Sequence, residues 1–302
     1  MKQNKHTFTE IAYTTKMTRS EWLAIRQTGL GGSDAGVALG VNPWVSPLQL
    51  YLEKKKGVSL AINTVATTLG NDLEPYVLAQ SKLLSPEFCQ VLQPLPMMRS
   101  DQNPWMLATP DSGAMSKKHG EGIVEAKTAL SMYGALQWSE RVAPAHYRAQ
   151  CLHYMAVTGR RWCVIVCLAA GPAWFHQVIK WDDEEIENLI EAERKLWVAI
   201  QEDDFEFLID GTESTKNALN QLHPTADEKL PELDLRENER AQKMLKQYLT
   251  AKGFENAAAE DKKEAENALK KLLGEHEIAF VDGHKVQWKN TARGRRFTVK
   301  EG

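Results

Sequence analysis

The sequence predicts an α/β (α+β) fold, a mixed central sheet flanked by helices, on three observations. Helical patterns fill the first third of the chain. Four β-rich runs (105–115, 122–129, 161–170 and 173–181) occupy the middle, with one helical run between the second and third. An amphipathic helix pattern then follows, so that strands alternate with covering helices.

The elements follow in order. Thr18 and Glu21 form a capping box for a short helix reaching about residue 27, with Trp22, Leu23 and Ile25 as its apolar side. Gly29, Gly31 and Gly32 then turn the backbone, and Ser33 is expected to restart a helix as N-cap. Ser46 and Pro47 start another helix, which ends in Lys54-Lys55-Lys56 before the stop signal Gly57. These three lysines read as a solvated helix end. Residues 65–84 are helical, with Glu74-Pro75 predicting a kink or a new start. The run 144–159 is a helix by composition, ended by Gly159, and 182–200 carries Ile186, Leu189, Ile190, Leu196, Trp197 and Ile200 at helical spacing. Composition turns loop-like around 210–231, which places a boundary between a domain over 1–212 and an appendage over 213–302. In the appendage, 233–250 and 255–273 predict an αα-hairpin turning at Gly253. The tail predicts a short β-ribbon joined at Asp282-Gly283 and at residues 292–294, with net charge +4 over 278–302.

The 302 residues are 43% hydrophobic and 25% charged, which excludes collagen, wholesale disorder and a disulfide scaffold. A net charge of −3 gives no global cationic field, so a nucleic-acid ligand must be held by local basic patches or metal ions. The N-terminus lacks the apolar run of a signal peptide. The longest uncharged stretch, 162–175, is too short and too broken by Gly171-Pro172 to span a bilayer. The four cysteines show no metal-binding or iron–sulfur grouping and read as buried thiols, so a cytoplasmic protein with no membrane partner is expected.

Chemistry concentrates at Asp111 and, fourteen residues on, Glu125-Ala126-Lys127. Residues two apart on a strand share a face, so Glu125 and Lys127 project together, and Asp111 joins them if its strand pairs with theirs. Two converging carboxylates suit a hard cation such as Mg²⁺ or Mn²⁺, and a lysine beside them can orient water and stabilise charge on a phosphate. An ordinary surface ion pair is the competing reading. His146 and His153 lack a third ligand and read as core or surface histidines.

Taken in order, the segments 22–57, 70–75, 108–114, 122–128 and 146–159 resemble the YqaJ-like viral recombinase family. These are relatives of phage lambda exonuclease in the PD-(D/E)xK nuclease superfamily, met here as Pro110-Asp111 and Glu125-Ala126-Lys127. The resemblance covers half the chain and implies a restriction-endonuclease-like core. It further implies that Asp111, Glu125 and the Ala126 carbonyl hold metal, Lys127 activates water and Glu74 completes the acidic site. By the same resemblance Gln150 is a further catalytic residue and Tyr154 a DNA-binding one, and with Tyr147 they share one face of the helix that follows the catalytic strand. Arg26 and Ser33 match the residues that hold a terminal 5′ phosphate, and an anion near a helix N-terminus beside an arginine is physically favourable.

The expected protein is thus a Mg²⁺-dependent exonuclease of phage or prophage recombination, using two ions, with Mn²⁺ as substitute. It would degrade double-stranded DNA from the 5′ end in a bacterial host and leave a 3′ strand for a single-strand annealing protein. By resemblance it would form a homo-oligomeric ring. An endonuclease with the same core, or a non-catalytic DNA-binding scaffold, are the alternatives. The role of the basic tail, where Trp288 and Phe297 are interleaved with cations, stays open.

Overall fold

The computed structural model describes residues 6–57, 65–138, 142–170 and 173–301, and the chain divides into two compact units, Met1–Thr225 and Ala226–Gly302. In chain order the first contains β1 (Phe8–Ala12), α1 (Arg19–Arg26), β2 (Leu30–Gly31), α2 (Gly32–Ala38), α3 (Pro47–Lys56), α4 (Val65–Leu84), β3 (Val91–Gln93), β4 (Met97–Ser100), β5 (Met106–Ala108), β6 (Ser112–Ser116) and β7 (Gly120–Ala129). It continues with α5 (Met132–Leu136), α6 (Ala145–Thr158), β8 (Trp162–Ala169), β9 (Ala173–Lys180), α7 (Asp183–Glu202), α8 (Phe205–Leu208) and α9 (Glu213–Leu222).

The central sheet is mixed, in the order β3-β6-β7-β8-β9. Only β7 and β8 run parallel, and α6 supplies the crossover that a parallel pair requires. Both faces of this sheet are covered, which explains why β8 reads as a nearly continuous apolar run. Ile123, Cys163, Ile165 and Cys167 face α6, whose Ala149, Leu152 and Met155 pack with them. Val124, Ala126, Val164 and Val166 face the other way, onto Val77 of α4. A second sheet, β1-β4-β5-β2, carries the glycine turn that leads into α2. Among the described residues no helix is long and apolar enough to cross a membrane, and all four cysteines are buried and free. Gly171 and Pro172 lie outside the described residues.

Several expectations are corrected. The N-cap of α2 is Gly31, not Ser33, and the Asp34 carboxylate accepts the Gly31 N–H at 2.8 Å. A Cβ at Gly31 would stand 2.5 Å from Arg26 Nη1, so a larger residue there would displace that guanidinium. Lys54 is not solvated: its side chain is 2% exposed. Of the two outcomes expected at Pro75, a new start does not occur, since α4 is one helix over Val65–Leu84. Helix α9 belongs to the first unit rather than to the appendage. Its Thr212 cap accepts from Thr215, and its Ala218 packs with Leu48 and Leu52 of α3, which moves the boundary from 212/213 to 225/226. Its many polar residues are the solvent side of an amphipathic helix.

The second unit is one helix, α10 (Glu239–Leu273), followed by the antiparallel ribbon β10 (Ile278–Val281), β11 (His284–Thr291) and β12 (Gly294–Glu301). The expected αα-hairpin does not form, because the helix continues straight through Gly253. An interior glycine costs only about 1 kcal/mol, and the alanine-, lysine- and glutamate-rich flanks outweigh it. The ribbon turns where expected, with Asp282 and Gly283 at φ of 47° and 72°, the left-handed pair of a tight hairpin.

Candidate active site

Asp111 immediately precedes β6, while Glu125 and Lys127 stand on β7, which pairs with β6 in a register of Ser112 opposite Val124. That register brings the Asp111 carboxylate onto the β7 backbone, where its Oδ2 accepts the Ala126 N–H at 2.8 Å. Glu125 and Lys127 share the α6 side of the sheet and meet directly, Nζ to Oε1 at 2.6 Å. The same Oε1 accepts from Gln150 Nε2 at 2.6 Å, and Gln150 also donates to the Tyr154 hydroxyl at 3.0 Å. Tyr147 and Gln150, three apart on α6, thus form one wall of the site, and Tyr154 on the same helical face backs Gln150 from behind. Tyr147 holds its ring 5.1 Å from Lys127 Nζ. A cavity of about 970 Å³ collects Glu74, Asp111, Glu125, Ala126, Lys127, Tyr147 and Gln150 in its lining.

Electrostatics single this cavity out. Glu125 is 1% exposed, and burial together with the Asp111 charge pushes its carboxyl up to about 8. Burial likewise raises Asp111. Glu74, half-buried on α4, is pushed up to about 7 by burial and by Asp111. Burial alone would lower Lys127, but Glu125 and Asp111 outweigh it and hold the ammonium charged beyond its ordinary range. One lysine therefore faces three carboxyl groups. Glu125 Oε2 is buried with no hydrogen-bond partner, a state that costs free energy unless a cation or donor arrives. This donor set fits a hard divalent ion. Among the described residues no three His, Cys, Asp or Glu side chains form a group able to hold one alone. Mg²⁺ needs no such cage, since it keeps several waters and is commonly bound by one or two carboxylates plus a phosphate.

A smaller cavity of about 270 Å³ adjoins, sharing Trp44, Val45, Tyr147 and Gln150 with the first and adding Arg26, Ser33, Asp34, Glu53 and His146. Arg26 Nη2 lies 3.3 Å from Ser33 Oγ and 3.1 Å from Asp34 Oδ1. Asp34 also pairs with Lys54 at 2.8 Å, and Lys54 donates to the Arg26 carbonyl at 3.0 Å. Burial would raise Asp34, but Arg26 and Lys54 hold it well below the carboxylate range. Asp34, Lys54, Trp44 and His146 are not among the residues the sequence suggested. Asp34, three residues beyond the glycine turn, carried a signal as a possible first-turn acid. Lys54 carried none.

Helices α2 and α6 meet at Gly32, where an added Cβ would stand 2.4 Å from Tyr154 Cε1 and 3.1 Å from Gln150 Cγ. Gly32→Ala is therefore expected to displace both side chains and to cost about 1–3 kcal/mol, read as a lower urea midpoint.

Residues 21–161 match the family model described as the YqaJ-like viral recombinase domain. A protein of Bacillus subtilis (strain 168) described as the uncharacterized protein YqaJ is 28% identical over 294 residues, spanning 96% of this chain and 89% of its own. The crystal structure of an alkaline exonuclease from Laribacter hongkongensis is similar with a TM-score of 0.50 and 19% identity, over 68% of this chain and all of that one. At that identity the likeness concerns the fold.

Proposed function

We propose that this protein, whose residues 21–161 form a YqaJ-like viral recombinase domain, is a divalent-metal-dependent DNA exonuclease that degrades duplex DNA from the 5′ end. The observation that carries this reading is the convergence of Asp111, Glu125 and Lys127 on one cavity, with Glu125 Oε2 buried and unpartnered. Asp111 and Glu125, with Glu74 at the wall and the Ala126 carbonyl beside them, would hold Mg²⁺ or Mn²⁺, as one ion or two. The ion would neutralise charge on the scissile phosphate. Lys127 donates from Nζ, which orients the attacking water and steadies the pentacovalent phosphate. Gln150 fixes Glu125 through Oε1, and Oε2 would be available to an ion. In the reaction a water oxygen bonds to phosphorus, the P–O3′ bond breaks, and the released water proton ends on the leaving 3′ oxygen.

The adjoining cavity distinguishes an exonuclease from an enzyme that cuts anywhere. Arg26, braced by Asp34 and Lys54, and Ser33 form a donor set for a terminal phosphate one wall away from the carboxylates. The 3′ strand left behind would serve a single-strand annealing protein. A homo-oligomeric ring around the duplex would retain a substrate that a chain of net charge −3 does not attract strongly. The setting would be the cytoplasm of a bacterial host.

Metal addition tests the site without turnover. Mg²⁺ or Mn²⁺ is expected to raise the Tm of the purified protein and not that of Glu125→Gln; an equal rise in both would place the ion elsewhere. End recognition is tested with 5′-phosphorylated and 5′-hydroxyl duplexes. Loss of a charge-assisted contact predicts a preference of about 10–100-fold for the phosphate, abolished in Arg26→Ala. Linear duplex should be consumed and covalently closed circles left intact.

A further inference from the structure

Residue pairing in the ribbon sorts its charges by face. Lys285 pairs with Lys300, Gln287 with Thr298 and Lys289 with Arg296, and directly paired residues share a face of the sheet. Phe280, which pairs with Lys285, joins them. The alternate residues Val286, Trp288 and Phe297 lie on the other face, where Val286 is 3% exposed and Lys270 of α10 stands 5.6 Å from the Phe297 ring. Arg295 is also on that inner face and is spent on structure, donating to the carbonyls of Gly274 and His276 at 2.7 Å and of Trp288 at 3.0 Å. Glu301, paired with His284, falls on the inner side too. The outer face therefore holds four cations and no acid on its paired strands, and among the described residues none of the four is in an ion pair.

We propose that this outer face binds single-stranded DNA. Lys285, Lys289, Arg296 and Lys300 match a phosphate backbone in charge, and Gln287 and Thr298 between them offer neutral hydrogen bonds. The choice of a single strand rests on Phe280. Its ring is 74% exposed and lies 5.7 Å from Lys285 Nζ, so a stacking surface stands beside a phosphate-binding cation. A duplex hides its base faces, whereas an unpaired base can stack on such a ring. The inference stands apart from the nuclease reading, since none of these residues belongs to the carboxylate site.

The test uses the full-length protein in chelator, so that nothing is cut, with fluorescence anisotropy of a labelled oligothymidine and of a duplex at several salt concentrations. The variant Lys285→Gln/Lys289→Gln/Arg296→Gln/Lys300→Gln is expected to bind the single strand at least about tenfold more weakly, and the slope of log affinity against log salt should fall by about 3. Phe280→Ala alone should weaken single-strand binding about fivefold or more, while Lys285→Arg/Lys289→Arg/Lys300→Arg keeps it. Digestion of short duplexes with Mg²⁺ should stay within twofold of the parent for every variant, which separates this surface from the nuclease site. An unchanged single-strand slope in the quadruple variant overturns the proposal. So does a loss confined to the duplex, or an unaffected Phe280→Ala.

Discussion

Lys127→Met is expected to lower the rate of DNA hydrolysis by about three orders of magnitude, measured as nucleotide release from end-labelled duplex. The side chain is unbranched and of similar length, so packing against Tyr147 is retained while the ammonium is lost. Glu125→Gln and Asp111→Asn should abolish activity as fully, but with the opposite effect on stability. Each removes a carboxylate that burial pushes toward the protonated form, aided at Glu125 by the Asp111 charge, so the metal-free variants should unfold at higher temperature than the parent. The pH dependence carries the same sign. In the folded protein burial and Asp111 push the Glu125 carboxyl up to about 8, whereas in the unfolded chain it titrates at the ordinary glutamate value of 4.5. Between those values the folded state binds the extra proton, so metal-free stability falls as pH rises through this window. In Glu125→Gln that fall should be smaller. If Lys127→Met keeps the parental rate, the lysine has no role in the chemistry.

The second large effect concerns stability. His153 of α6 and Glu193 of α7 are both 0% exposed and meet at 2.7 Å, while the other ring nitrogen of His153 faces the Leu107 carbonyl at 2.9 Å. The Leu107 carbonyl can only accept, so Nε2 donates to it, and Nδ1 and the Glu193 carboxyl share a proton at 2.7 Å. Burial by itself would lower its pKa, but the Glu193 charge and the two hydrogen bonds outweigh that and raise it. The pair ties three elements together, β5, α6 and α7, directly behind the helical face that carries Gln150 and Tyr154. His153→Ala or Glu193→Ala alone should cost about 3–5 kcal/mol in urea unfolding, because each leaves a buried polar partner stranded. The double variant His153→Leu/Glu193→Leu should be less destabilised than the two losses added. A raised histidine pKa stabilises fully below the unfolded value and loses its contribution as pH rises through the folded one. The parent should therefore lose stability above neutral pH in a way that Glu193→Ala does not.

What the sequence disclosed followed periodicity. The two-residue spacing of Glu125 and Lys127 and the i, i+3, i+7 spacing of Tyr147, Gln150 and Tyr154 are local geometry; the fold lines one cavity with Glu125, Lys127, Tyr147 and Gln150, and Tyr154 stands behind as the acceptor for Gln150. Boundaries set by packing were less legible. Helix α9 looks like a loop until its few apolar residues are seen against α3, and at Gly253 the glycine reads as a turn signal although the helix-forming residues on either side carry α10 through it. The arrangement around Arg26 was the least visible part. Asp34 and Lys54 are twenty residues apart and come together only because α2 and α3 pack, so no spacing rule announces them. The lysine run looked like an ordinary charged helix end, and burial separated one of its members from the other two.

Helix α10 makes the ribbon's bearing a matter of phase. At about 1.5 Å per residue its 35 residues set the two ends roughly 50 Å apart, and each residue advances the rotation by about 100°. Removing one residue from its exposed middle would swing the β-ribbon about a quarter turn around the axis with almost no loss of reach. Removing seven would draw it in by about 10 Å and leave its heading nearly unchanged.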